Sequence, residues 1–107
     1  MDLSRRGREY AHWTAKSVAT LAAAPEVSFV IAPAILPTTW IASTWDGAET
    51  TDSKGRKVRN FKILVYGPDA PVGGGGTPLV LGTHETYVRF TENPETIERL
   101  TESITVA

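Results

Sequence analysis

Hydrophobic and polar positions alternate with period two over much of the chain, the repeat of a strand with one buried face. In EVSFVIA, Val27, Phe29 and Ile31 share one face, and Pro25 and Pro33 bound the run. KVRNFKILVY, the longest such run, turns Phe61, Ile63 and Val65 inward and leaves Arg59 and Lys62 to solvent. Val88 and Phe90 continue the inward phase while Tyr87 and Arg89 point out, and this strand is expected to end at Thr91, because Pro94 cannot donate to a ladder. Ile104 and Val106 resume the pattern in a final strand after the corner at Asn93-Pro94. The polar stretch ETTDSKGRK reads as a hairpin tip with Gly55 available for positive φ, and Asp46 to Arg59 and Gly73 to Gly76 read as long loops. The ten inward residues Val27, Phe29, Ile31, Phe61, Ile63, Val65, Val88, Phe90, Ile104 and Val106 form the expected core.

Two periods fit residues 9 to 24, EYAHWTAKSVATLAAA. Helical spacing aligns Tyr10, Trp13, Ser17 and Leu21, and alanine favours it. Period two sets Tyr10, His12, Thr14, Lys16 and Val18 against Ala11, Trp13, Ala15 and Ser17. The strand is expected, since everything downstream is β and a sheet edge needs a partner. Strands separated by turns, with no long helix between them, make the chain one all-β sandwich domain spanning 1–107 with long loops. Residues 1–8 are expected as a flexible or partner-bound arm.

Composition narrows the function. The 107 residues suit one domain with a real core and little room for a deep catalytic cleft. Eleven basic residues against twelve acidic ones give a net charge of -1, which speaks against non-specific nucleic-acid binding. Cysteine is absent, so neither disulfides nor thiolate metal sites are available. No apolar run approaches the roughly 20 residues of a membrane span, and Arg5, Arg6 and Arg8 lead into no apolar signal segment; folding in a cytoplasm is expected.

Candidate chemistry is sparse. Gly73 to Gly76 lacks the Gly-Lys-Ser/Thr ending and following helix of a phosphate loop. His12 and His84 are far apart, no G-x-S-x-G elbow occurs, and Asp46, Glu49 and Asp52 lack the register of a calcium loop. The expectation is therefore no enzyme, no catalytic residue, no cofactor and no metal. Trp40 and Trp45 are an odd number of residues apart, so a regular strand would put one in the core and leave the other exposed or covered by a partner, protein or sugar.

REYAHW, EVSFVIA, the Trp40 to Trp45 pair, V-Y-G-P-D, L-x-x-G-T-H-E-T-Y-V-R-F-T-E-N-P-E and a closing I-T-V together resemble the small immunoglobulin-like proteins encoded among the head and tail genes of siphophages that infect actinobacteria. Y-V-R-F-T-E-N-P-E is the most specific element, with Glu92 where the family usually has Asp, and TIERLTES is more polar than the family norm. The resemblance implies an immunoglobulin-like sandwich and a bacteriophage virion structural protein, a component of the head-to-tail connection, or neck. Its partners would be copies of itself in a ring or symmetric platform and neighbouring head, neck or tail proteins, without membrane or sequence-specific nucleic-acid contact. It would be made in the host cytoplasm and reside in the virion. A capsid decoration or carbohydrate-binding β-module is the alternative. The candidate interface residues are Arg5, Arg6, Arg8, Trp40, Trp45 and Arg89, with Arg89 meeting either a partner or a neighbour on its own sheet such as Glu102.

Overall fold

The computed structural model describes residues 1–17, 23–34, 36–90, 93–100 and 102–107, with 93–98 described by their backbone alone. It is all-β: β1 (Asp2–Leu3), β2 (Arg8–Ser17), β3 (Glu26–Ile31), β4 (Ile41–Ala42), β5 (Thr44–Thr51), β6 (Lys57–Tyr66), β7 (Thr77–Pro78), β8 (Gly82–Phe90), β9 (Asn93–Arg99) and β10 (Ile104–Val106). No helix among the described residues is long and apolar enough to cross a membrane.

The strands form two sheets. In the first, β8 is central: β3 and then β4 lie on one flank, while β10 and β9 occupy successive stretches of the other, with β1 beyond β10. In the second, β6 is central, with β2 on one flank and β5 followed by β7 on the other. The inner faces pack on each other through Ala11, Ala15, Phe61, Ile63 and Val65 from the β6 sheet and Val27, Val88, Ile104 and Val106 from the β8 sheet. Trp13 bridges the layers, stacking on Phe61 at 5.6 Å and lying 6.3 Å from Phe29 across the gap.

Residues 8–17 are strand, in the phase that period two assigns: Ala11 and Ala15 are buried while Tyr10, His12, Thr14 and Lys16 are exposed. Residues 18–22 lie outside the described residues. Seven of the ten expected core residues are buried; Phe29, Ile31 and Phe90 are half-buried, with Phe29 and Phe90 packed against the core from its margin. Leu3 and Leu79 join the core instead, brought in by β1 and β7, two-residue strands too short to show a period.

Several expectations change. The segment Met1 to Arg8 does not hang free: its terminal ammonium donates to the Ser103 carbonyl at 2.8 Å, β1 pairs in parallel with β10, and Leu3 is fully buried. Trp40 and Trp45 do not share a strand, because the chain crosses from one sheet to the other between them. Buried Ser43 makes that crossing, its amide and hydroxyl both donating to the Pro25 carbonyl. The stretch from Asp46 to Arg59 is mostly ladder, and its true turn, residues 52–56, is closed by Gly55 at φ 77°. Arg59 has the phase of Phe61, and its guanidinium lies 4.8 Å over the Trp45 ring. β8 ends at Phe90, and the chain returns along it as β9, a strand with no hydrophobic alternation to announce it. The side chains of Asn93 and Pro94, expected to fix that corner, lie outside the described residues.

Candidate functional site

Apart from Trp45, the expected interface residues fall at opposite ends of the sandwich. β8 runs from Gly82, which pairs with Val106, to Arg89, which pairs with Glu26, a span of about 23 Å at 3.3 Å per residue. Arg5 and Arg8 belong to the Gly82 end. Arg5 donates its backbone amide to the Ala107 carbonyl and its Nε to Asp69 at 2.7 Å. Arg8 donates from Nε to the Gly75 carbonyl at 2.9 Å and from its terminal nitrogen to the Pro71 carbonyl at 3.0 Å, with Tyr66 under its guanidinium. Arg8 thus ties down the glycine-rich loop, in which Gly73, Gly74, Gly75 and Gly76 all have positive φ. Arg6 is exposed in the turn between β1 and β2.

At the other end, Arg89 and Trp40 come together. The Arg89 guanidinium lies 4.3 Å over the Trp40 ring and its Nε donates to Glu26 Oε1 at 3.1 Å. Its partner is therefore the cross-strand Glu26 and not Glu102, and both members of the pair are about two-thirds shielded from solvent. Trp45 is separate, edge-on to Phe61 at 6.4 Å, with its indole Nε1 buried and without a hydrogen-bond partner among the described residues.

His12 and His84 are not brought together. His84 is buried on β8 and its Nε2 donates to the Val80 carbonyl at 2.8 Å. His12 is on the outer face of β2, 3.0 Å from Asp46, which also meets Lys62 at 3.6 Å. Asp52 serves the hairpin tip. It accepts from the Arg56 amide, the Lys54 amide and Arg56 Nε, and these bonds, the Arg56 amide foremost, hold its carboxyl below the usual range against the opposing effect of burial. Among the described residues, no three histidine or acidic side chains are grouped to hold a metal ion.

Two surfaces escape a reading by residue type. One is a cleft of about 460 Å³ on the side where β3 and β4 face β7, walled by Phe29, Ile31, Ile41, Pro78 and Leu79 with His84 among its lining. Val80 and Leu81 beside it are 59% and 45% exposed, and Leu36 and Val72 are also exposed. The signal in the sequence was the apolar run Leu79-Val80-Leu81, which falls between β7 and β8 and buries only Leu79. The other surface is the long flank of β2 away from β6, where Tyr10, 48% exposed, carries Lys62 at 4.5 Å over its ring. No protein-family model, curated protein or solved structure matches this chain.

Proposed function

We propose that the chain is a structural module that works by protein–protein contact, an immunoglobulin-like component of a bacteriophage virion at the head-to-tail connection. The observation that carries the contact role is the apolar strip of Val80 and Leu81 beside the cleft between the β3–β4 and β7 edges. A small β-domain that leaves such side chains in water loses hydrophobic stabilisation unless another surface covers them. Arg5, Arg8 and Arg89, candidates for the interface by residue type, are engaged within the chain, so the contact role rests on the apolar surface. The virion assignment rests on the resemblance carried by REYAHW, the Trp40 to Trp45 pair and YVRFTENPE.

Immunogold labelling of intact phage particles with an antibody raised against this chain tests the placement. Label at the junction of head and tail is expected, and label confined to the capsid surface, or particles that contain no copy of the chain, would overturn it. Exposed Tyr10 favours the carbohydrate-binding reading, because an aromatic ring in solvent can stack on a sugar. A glycan array tests that reading: binding that Tyr10→Ala abolishes would establish the sugar role, and a blank array would count against it.

A further inference from the structure

We infer that the free edge of β2 is a docking strand for a second copy of this chain, which adds antiparallel to it about a two-fold axis at Trp13. The inference goes beyond the virion reading and does not depend on where in a particle the protein sits.

β2 pairs with β6 in one unbroken register, from Arg8 opposite Tyr66 to Ser17 opposite Lys57. Just past it, the Gly67 amide donates to the Gly7 carbonyl, which marks Gly7 and Gly67 as a pair bonded directly to each other. Bonded and non-bonded pairs alternate along an antiparallel ladder. The backbones of Glu9, Ala11, Trp13, Ala15 and Ser17 therefore bond to β6, and the N–H and C=O groups of Arg8, Tyr10, His12, Thr14 and Lys16 point off the sheet. No strand among the described residues meets them. Soluble proteins usually blunt an edge of this kind with a bulge, a proline, brevity or charge; β2 has no bulge or proline and runs ten residues, and its charges, Arg8, Glu9 and Lys16, stand at its two ends and leave Tyr10 to Ala15 uncharged.

Room for a strand lies alongside. Two adjoining depressions of about 260 and 250 Å³ follow β2, between it and residues of the Leu100 to Ile104 stretch of the opposite sheet. An added strand would turn every second side chain into that groove, and in a second β2 these include Ala11, Trp13 and Ala15. The alanines are small, so the indole is the bulky group the groove must take, beside the Trp13 already there.

Charge excludes two neighbouring registers, and the self-pairing of Trp13 favours the one centred on it. Centring the two-fold at His12 opposes Arg8 to Lys16 twice, and centring it at Ala11 opposes Arg6 to Lys16 twice. Centring it at Trp13 opposes Tyr10 to Lys16, His12 to Thr14, Ala11 to Ala15, and Trp13 to itself in a non-hydrogen-bonded pair, where side chains approach closely. No like charges then face each other. Lys62 approaches the Tyr10 ring from β6, and Lys16 of the second copy would flank it from the other side. The contact is isologous, as a two-fold pair requires, and can serve as the repeating unit of a larger symmetric platform.

Sedimentation equilibrium across a micromolar to millimolar concentration series, on the full chain, tests this. The wild type should form dimers. Tyr10→Lys, which sets lysine against Lys16 in both halves of the pair, should weaken the dimer about tenfold or more. Adding Lys16→Glu to that variant should restore most of the loss, because each glutamate then faces the new lysine. A monomer throughout the series, a dimer indifferent to Tyr10→Lys, or a double variant as weak as the single one would overturn the inference.

Discussion

β2 and β5 flank β6 and meet it through the same residue: Phe61 is opposite Trp13 on one side and Trp45 on the other. From that row the two flanks diverge. β5 loses register between Asp46 and Thr50, where Gly47 adopts φ 95° and its carbonyl accepts from Arg59 Nε at 2.9 Å. A passing strand would find this edge bent and partly engaged. β2 holds its register over ten residues. The two edges border one sheet and face the same solvent, so the difference is local: one strand is broken by a bulge and the other is not.

The largest effect should come from removing what both edges share. Phe61→Ala empties the centre of the row and should cost about 3–5 kcal/mol in urea denaturation, loosening β2 and β5 together. A loss confined to one flank, read by strand-resolved amide exchange, would show that the edges are not coupled through β6. Next in size is a pair of prolines one position apart. Ala15→Pro removes a donor that bonds to β6, whereas Thr14→Pro removes one that points to solvent, apart from an exposed hydroxyl bond to Asn60. The first should be less stable than the second by about 1–3 kcal/mol, and equal stabilities would contradict the assigned alternation.

Much of β2 was legible in its residues, and most of what went unread lies in pairings between distant segments. Ala11, Trp13 and Ala15 against Tyr10, His12 and Thr14 show their faces in the sequence because burial follows the pleat. β9 does not, because TIERLTES has no apolar alternation and the pairing with β8 outweighs local preference. The crossing at Ser43 depends on the Pro25 carbonyl, eighteen residues earlier in the chain. Arg89 on the outward phase was readable; its choice of Glu26 over Glu102 follows from β3 lying beside β8, which no spacing reveals. The open edge of β2 was hidden for the same reason, since which strands lack a neighbour is a property of the whole sheet.

Smaller effects sharpen the contrast from the β5 side. Gly47→Ala places a side chain in open space on left-handed backbone and should cost about 1 kcal/mol by thermal denaturation, for the backbone alone. A neutral result would mean the bulge relaxes readily and is no firm barrier to pairing. Asp52→Ala should have the smallest effect, at the hairpin tip. Because the folded carboxyl titrates below its ordinary range, its contribution is complete above the unfolded value and fades as pH falls through the folded one. The gap between variant and wild type in denaturant midpoint should therefore be present at neutral pH and close below about pH 4. A gap that widened on acidification would reverse the assignment.

Residue-resolved amide exchange of β2 by NMR, at low and high protein concentration, tests the open edge most directly. At low concentration the amides of Ala11, Trp13 and Ala15 should exchange slowly and those of Tyr10, His12 and Thr14 quickly. At high concentration the second set should slow to match the first, as a second copy takes up those donors. Tyr10, His12 and Thr14 amides that remain fast at every concentration, or that are the slow set from the start, would contradict the account.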